Sequence, residues 1–258
     1  MSRIIAIANQ KGGVGKTTTA INLGAALAIA ERPTLLVDAD PQSNATRGLG
    51  LASQDDRPSL YDVLIGDLPA KEALIPTELK HLTLLPADRD LTGAELELTS
   101  AESREYKLRE AVRSLEGDYE FILLDCPPAL GLLTLNALCA ARGVLVPVQC
   151  EYLALEGLAE LMETLRRVRE ALNPELAMEG ILLTMYDERT NLSRQVVSEI
   201  QQYFKETVLK VIVPRNIRLG EAPSFGKPIV LYDIRSKGAE AYMSLAREII
   251  GYEKARAW

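Results

Sequence analysis

The sequence predicts an α/β fold: a doubly wound, mostly parallel, seven- to eight-stranded sheet with helices on both faces. Short apolar runs alternate with longer segments of helical periodicity along the 258 residues. Parallel strands need crossover connections, and helices of this kind provide them. The runs are apolar throughout, so both faces of the sheet should be covered. No repeat, low-complexity tract or linker is present, and we expect one domain over residues 1–258.

The individual elements follow from the apolar runs and from the residues that break them. Strands are expected at 4–8, 34–37, 82–85, 121–125, 144–148, 180–185 and 210–213, and a further apolar run at 229–232 is left without a type. Helices are expected at 16–30, 59–64, 93–116, 131–141, 152–172, 192–204 and 238–250. Prolines mark several ends: Pro33 follows the first helix, Pro127 the fourth strand and Pro174 the helix at 152–172.

A glycine-rich segment joins the first strand to the first helix. Residues 9–19 read Asn-Gln-Lys-Gly-Gly-Val-Gly-Lys-Thr-Thr-Thr. Backbone N–H groups can converge on an anion where no Cβ intervenes, and the start of a helix adds the positive end of its dipole. Lys16 would then reach the β- and γ-phosphates of a nucleotide, and the Thr17 hydroxyl would bind Mg²⁺. The segment predicts a nucleotide site, and the alternative is a glycine-rich turn without a ligand.

The segment departs from the standard phosphate-loop pattern. Gln10 stands where the first glycine of G-x-x-x-x-G-K-[ST] is expected, and Lys11 is added in front of the glycines. The order Lys-Gly-Gly-x-Gly-Lys-Thr-Thr resembles the deviant Walker A motif of the ParA/MinD class of P-loop ATPases. That resemblance implies that Lys11 reaches across a dimer interface to phosphates held by the other subunit. The residues it implies for ATP binding are Lys11, Gly12, Gly13, Val14, Gly15, Lys16, Thr17 and Thr18.

Aspartates at the ends of two apolar strands complete the predicted site. Asp38 and Asp40 follow the strand at 34–37, and we expect them to have different tasks. A turn with incidental acids is the alternative. Asp125 ends the strand at 121–125 in the Walker B arrangement, which delivers a carboxylate to a water in the Mg²⁺ shell. In the class that the loop resembles, the residue matching Asp40 positions or activates the attacking water. Lys11, Lys16 and Asp40 are therefore the predicted catalytic residues.

Charge is unevenly distributed along the chain. The formal net charge of −7 argues against constitutive binding of nucleic acid. Residues 50–125 contain 17 acidic and 8 basic side chains, whereas residues 189–237 contain 9 basic and 4 acidic ones. This asymmetry predicts one face for an anionic partner.

No apolar run approaches the roughly 18 residues of a membrane span. The first strand begins at residue 4 and leads directly into the phosphate loop, so a cytoplasmic protein is expected. Cys126, Cys139 and Cys150 lack metal or redox spacing and are expected to be free core thiols. A relative of nitrogenase reductase, with an iron–sulfur cluster between subunits, is an alternative that this spacing does not favour.

Four motifs extend the resemblance over nearly the whole chain. They are Ala-Asn-Gln-Lys-Gly-Gly-Val-Gly-Lys-Thr-Thr from residue 8, Leu-Val-Asp-Ala-Asp-Pro-Gln from 36, Leu-Leu-Asp-Cys-Pro-Pro from 123 and Pro-Arg-Asn-Ile-Arg-Leu-Gly-Glu-Ala-Pro from 214. Together they look like Soj/ParA, the chromosome-partitioning ATPases. The resemblance implies that Mg·ATP drives a nucleotide sandwich homodimer and that only the dimer binds double-stranded DNA, without sequence preference. It also implies that a ParB-type partner triggers hydrolysis and release.

The same resemblance assigns four further residues by position. Pro214 and Asn216 match the loop that contacts adenine. Arg189 and Arg218 match surface basic residues implicated in DNA binding, and solvated loop arginines are the alternative. The ATP-bound protein would then be associated with the nucleoid.

Two other functions share these motifs. A MinD-like membrane-cycling ATPase needs a basic amphipathic C-terminal helix, but the tail at 249–258 has a glycine break and little apolar face, so no membrane partner is expected. A positioning ATPase for another cargo differs in its partner, and the sequence does not separate it from a DNA-partitioning ATPase.

Overall fold

One sheet of eight strands carries the fold in the computed structural model, which describes residues 2–51, 57–152 and 154–251. The strands are β1 (Arg3–Ile7), β2 (Thr34–Asp38), β3 (Ile75–Pro76), β4 (Leu82–Leu85), β5 (Phe121–Asp125), β6 (Gly143–Gln149), β7 (Ala177–Tyr186) and β8 (Val208–Pro214). Their order across the sheet is β3-β4-β2-β5-β1-β6-β7-β8. In the described part of the chain β3 pairs antiparallel with β4, and the other pairs are parallel. The predicted mostly parallel sheet is confirmed.

Helices connect the strands. They are α1 (Lys16–Ile29), α2 (Asn44–Gly48), α3 (Leu60–Leu64), α4 (Leu91–Glu97), α5 (Lys107–Arg113), α6 (Leu132–Ala140), α7 (Ala154–Ala171), α8 (Asn191–Phe204), α9 (Ile217–Glu221), α10 (Ile229–Tyr232) and α11 (Lys237–Gly251). The chain moves from β1 to one side of the sheet through β2, β4 and β5, and then to the other side through β6, β7 and β8. The strand order therefore reverses at β1, and ligands of open α/β sheets bind at the carboxyl ends of the strands beside such a point.

Two hydrophobic layers lie on opposite faces of the sheet. Ile4, Ala6 and Ala8 belong to one layer and Ile5 and Ile7 to the other, as the two-residue period of a strand requires. The first layer packs against α3 to α8, and the second packs against α1, α10 and α11. Both faces of the central strands are thus removed from water, which confirms the predicted arrangement of helices on both faces.

The predicted helix at 93–116 is wrong. The segment is broken into α4, two short 3-10 turns at Leu98–Ser100 and Arg104–Tyr106, and then α5. Ala101 is extended and Ser103 has a left-handed φ of 51°, so the helix cannot continue through them. Asn136 of α6 compensates for the break, because its Oδ1 accepts from Leu108 N at 3.0 Å and its Nδ2 donates to Arg104 O at 2.8 Å. This buried amide satisfies backbone groups that the break leaves unpaired.

The eighth strand is the short β3, which the sequence analysis did not predict. The apolar run at 229–232 forms α10 instead. Pro228 precedes this helix, and the Ile229 N–H donates to Asn22 Oδ1 of α1 at 2.7 Å, which fixes the start of the turn. Residues 252–258 of the predicted tail lie outside the described residues.

Candidate active site

The glycine-rich loop leaves β1 and enters α1 at the centre of the sheet. Gly13 and Gly15 have φ values of 73° and 93°, a left-handed conformation that disfavours any residue with a Cβ. Both Gly12 and Gly13 are exposed and line the open cavity beside the loop. Gly15 is the N-cap of α1 and offers no capping side chain, which leaves the first N–H groups of the helix available to an anion.

Side chains from the neighbouring strands hold this loop in place. Asn9 accepts a hydrogen bond from Lys11 N at 3.0 Å and donates to Pro147 O of β6 at 2.7 Å. The Thr184 hydroxyl of β7 donates to Val14 O at 2.8 Å. Val14 itself is buried. The loop is therefore held from two strands before any ligand binds, which is the preorganisation that tight anion binding needs.

Lys16 is a buried cation at the start of α1. Its side chain is 6% exposed, and Nζ donates to the Lys11 carbonyl at 3.2 Å. Desolvation lowers the pKa of this ammonium, while the carboxylates of Asp125 and Asp40 oppose that shift. A buried ammonium with one carbonyl acceptor has donors to spare, and phosphate oxygens are suitable acceptors.

Asp38, the last residue of β2, and Asp40, two residues further on, have different surroundings. Residues two apart in a strand share a face, so the difference arises because the chain leaves β2 after Asp38 and not from alternation. Asp38 is fully buried, and its carboxylate accepts hydrogen bonds from Thr46 N at 2.8 Å and from the Thr46 hydroxyl at 2.7 Å. Desolvation raises the pKa of Asp38 to about 6 despite these bonds. Asp40 lines the open cavity beside the glycine loop, with one oxygen accepting from Gln42 N at 2.9 Å. Asp38 therefore anchors α2, whereas Asp40 faces the ligand space.

Asp125 is the least satisfied group of the site. It is fully buried at the end of β5, and within the described part of the chain neither carboxylate oxygen has a hydrogen-bond partner. The register places it beside Asp38 of β2 and Ile7 of β1, directly under the loop. Desolvation and the Asp38 carboxylate raise the pKa of Asp125 well above its ordinary value. The Thr17 hydroxyl, which is near Asp125 but does not meet hydrogen-bond geometry, and the Lys16 ammonium oppose the shift. Such a carboxylate needs a cation or ordered water.

These groups fit a magnesium ion better than a metal held by the protein alone. Within residues 2–51, 57–152 and 154–251, no group of three or more His, Cys, Asp or Glu side chains is placed to hold a metal. The site offers the Thr17 hydroxyl, the orphaned Asp125 carboxylate and the Asp40 carboxylate that lines the cavity. Such oxygen ligands suit an ion that keeps several waters and also binds phosphate oxygens. Cys126, Cys139 and Cys150 are free and buried, as predicted, and burial raises the pKa of Cys139 to about 11 and that of Cys150 to about 12.

The cavity beside the loop has a volume of about 510 Å³. It is lined by Gly12, Gly13, Gly15, Lys16, Thr17, Thr18, Ile21, Asp40, Asn44, Arg47, Gly48, Pro128, Met185, Pro223 and Ser224. Seven of the predicted site residues are therefore brought together. The walls from Ile21, α2, Met185 and Ser224 were not predicted, since these residues lie in none of the four motifs. Pro128 and Pro223 end the third and fourth motifs, but no role was assigned to either of them.

Lys11 is outside this cavity. It is exposed, and its Nζ lies 3.9 Å from Oε2 of Glu151, which also pairs with Arg215 at 3.6 Å. The Lys11 backbone belongs to the loop, but its side chain extends over the surface. The role of Lys11 toward a second subunit stays a prediction.

Pro214 and Asn216 do not line the cavity either. Pro214 ends β8, and Asn216 is the N-cap of α9, where its Oδ1 accepts from Arg218 N at 2.9 Å. Of the segment that follows β8, Pro223 and Ser224 line the cavity. The role of this loop toward adenine stays a prediction.

The two arginines predicted to face DNA follow β7 and β8. They lie at the carboxyl ends of the strands, the same end of the sheet as the glycine loop. Both are exposed and both are ion-paired: Arg189 with Asp187 at 2.6 Å, and Arg218 with Glu221 at 2.8 Å. Arg218 also approaches Asp233 at 3.6 Å. Their carboxylate partners reduce the positive potential that they present.

The fold and the cavity define a P-loop nucleotide-binding protein. The family described as an AAA domain matches residues 2–178. The chromosome partitioning protein ParA of Myxococcus xanthus is 60% identical over 97% of this chain and 88% of its own length. The sporulation initiation inhibitor protein Soj of Bacillus subtilis is 53% identical over 96% of this chain and 98% of its own length.

A solved structure extends this likeness to three dimensions. A cobyrinic acid a,c-diamide synthase from Mycobacterium smegmatis, with bound ATP analogue and magnesium, matches with a TM-score of 0.85 and 41% identity over all of both chains. These comparisons show that the chain belongs to the ParA/Soj family of chromosome-partitioning ATPases.

Proposed function

We propose that this chain is a partitioning ATPase in which Mg·ATP drives formation of a nucleotide sandwich dimer, the dimer binds DNA without sequence preference, and hydrolysis releases it. The observation that carries the proposal is the orphaned Asp125 carboxylate beneath a left-handed glycine loop, with Lys16 buried beside it. That arrangement suits a nucleoside triphosphate with its metal ion. The family supplies the expectation that a ParB-type partner stimulates the slow hydrolysis.

Each residue of the site has a defined part in this proposal. The loop N–H groups and Lys16 would bind the phosphates, and Thr17, Asp40 and Asp125 would hold Mg²⁺, Thr17 directly and the two carboxylates through water. Bound Mg²⁺ neutralises the charge that develops on the transferred phosphoryl group. Asp40, which faces the cavity, orients the attacking water. Phosphoryl transfer depends mainly on such positioning and electrostatics.

Lys11→Ala should abolish ATP-dependent dimerisation and hydrolysis while ATP binding survives at least in part. The Lys11 side chain is exposed and outside its own cavity, so its removal leaves the phosphate contacts of its own loop in place. Light scattering with Mg·ATP measures the dimer. Lys80→Ala is a matched control, because Lys80 is an exposed lysine just before the amino end of β4, at the opposite edge of the sheet. An unchanged ATP-dependent dimer in Lys11→Ala would contradict the cross-subunit role.

DNA binding should require ATP and should weaken steeply with salt. Contacts to phosphates reduce log K by about 0.9 per neutralised phosphate for each unit of log[salt], and they give no preference between unrelated duplexes. Arg189→Glu or Arg218→Glu should weaken binding to both duplexes alike and leave the dimer intact. A gel shift across a salt series, with ADP and with ATP, measures this.

A matched control for these reversals is Arg32→Glu. Arg32 is also ion-paired, 3.3 Å from Glu120, and 44% of its side chain is exposed, but it lies at the amino end of β2, away from the glycine loop. Equal affinity of the wild-type protein for DNA with ADP and with ATP would contradict the proposed switch. No effect of either reversal would place the DNA contacts elsewhere.

Two alternatives concern what the ATPase acts on. Among the described residues no helix is long and apolar enough to cross a membrane. A MinD-like cycle uses a surface-lying helix instead, so sedimentation with liposomes or with DNA in the presence of ATP separates that alternative from the proposal. A positioning ATPase for another cargo differs only in its partner, and identification of the partner by pull-down separates it.

A further inference from the structure

Arg47 is an arginine in the nucleotide cavity that the family motifs do not assign. It lies on α2 and is exposed, and it lines the cavity together with Asn44 and Gly48. These three positions, i, i+3 and i+4, share one face of the helix. Within the described part of the chain, no ion pair or side-chain hydrogen bond satisfies the Arg47 guanidinium. Asp40 lines the same cavity without pairing with it.

The backbone of Arg47 is held firmly on both sides. Thr46, immediately before it, donates two hydrogen bonds to the buried Asp38 carboxylate. Gly48, immediately after it, packs so closely that an added Cβ would lie 2.5 Å from Ile21 Cδ1 and 3.7 Å from Pro223 Cβ. The guanidinium therefore extends from a fixed point, and little backbone ordering is needed when it meets a ligand.

The charge environment separates Arg47 from the other arginines at this edge of the sheet. Arg189, Arg215 and Arg218 each have a carboxylate partner within 4.0 Å. Arg47 instead shares its cavity with the open glycine loop and with Lys16, which are the groups of an anion site. A planar guanidinium without a carboxylate partner matches the oxygens of a phosphate group.

We propose that the Arg47 guanidinium binds a non-terminal phosphate of the nucleotide held in its own cavity. The proposal rests on the proposed nucleotide function. Gly48 packs on Ile21 of α1. Ile21 lies about one helical turn beyond Thr18 and is therefore further along the helix from Lys16, which is expected to contact the terminal phosphate. Arg47 is thereby placed on the side of the cavity that ADP and ATP would occupy in common.

The test is the affinity of the Arg47→Ala variant for ADP and for a non-hydrolysable ATP analogue, each with Mg²⁺, measured by calorimetry. Both affinities should fall about tenfold, the size of one charge-assisted hydrogen bond to a partly exposed phosphate. Arg47→Lys should recover part of the lost affinity, since lysine keeps the positive charge but lacks the planar pair of N–H donors of the guanidinium. Thermal denaturation without nucleotide should be unchanged, because the side chain is exposed and makes no ion pair among the described residues.

Arg247→Ala is the matched control, since Arg247 is exposed on α11 and does not line the cavity. A loss confined to the ATP analogue would overturn the assignment to a non-terminal phosphate. Unchanged affinities in Arg47→Ala, together with loss of binding in Lys16→Ala, would overturn the role of Arg47 and leave the nucleotide function standing. Failure of the wild-type protein to bind either nucleotide would overturn both.

Discussion

Lys16→Ala should lower the affinity for Mg·ATP by about 100-fold or more. The ammonium is almost fully buried, and the Lys11 carbonyl is the acceptor that it has within its own loop. Charge-assisted hydrogen bonds contribute about 1.5–3 kcal/mol each, and every 1.4 kcal/mol is a factor of ten in affinity. The substitution also removes the cation that faces Asp125 and Asp40, so the remaining carboxylates repel the phosphates. Calorimetry with ADP and with a non-hydrolysable ATP analogue measures the loss.

The control for this prediction is Lys80→Ala, which removes one positive charge at the far edge of the sheet. Its nucleotide affinity should equal that of the wild type. Thermal denaturation without nucleotide shows whether Lys16→Ala still folds. A folded Lys16→Ala protein with wild-type affinity would mean that the glycine loop is not the phosphate site.

Much of the fold was predictable because local patterns and tertiary burial agree. The central strands are apolar on both faces, so each forms a run that stands out from the amphipathic helices around it. The break between α4 and α5 was not predictable, since it depends on Asn136, a residue of another helix that pairs with the exposed backbone. The same holds for α10, whose first N–H is bound by Asn22 from α1.

The candidate site also has a part that was predictable from the sequence and a part that was not. Its phosphate-binding half follows from residues adjacent in sequence, because the glycine loop, Lys16 and Thr17 belong to one turn between β1 and α1. Its other walls come from α2, Met185 and Pro223, which are distant in sequence and meet only when the sheet forms. The sequence also could not show which of Asp38 and Asp40 faces the ligand space. The hydrogen bonds from Thr46 make that distinction.

The contrast between these two aspartates bears on the second prediction. Asp38→Ala removes the acceptor for two hydrogen bonds from Thr46 in the core, and it should destabilise the fold by about 2–4 kcal/mol. Asp40 accepts from Gln42 N beside an open cavity, so its loss should change stability little. The effect of Asp40 substitution should therefore appear in catalysis and not in folding.

Asp40→Ala should reduce ATP hydrolysis by about 10²–10⁴-fold, the range expected when a group that orients or deprotonates the attacking water is removed. ATP binding should persist, because Lys16, Thr17 and the loop remain, and the ATP-bound dimer should accumulate. Asp40→Asn should behave similarly, since it retains the acceptor for Gln42 N but not the charge. Asp90→Ala, an exposed carboxylate outside the cavity, is the control. Phosphate release measures the hydrolysis rate, and light scattering with Mg·ATP measures the dimer. Normal turnover by Asp40→Ala, or a monomer in saturating ATP, would contradict the role of Asp40 in orienting the attacking water.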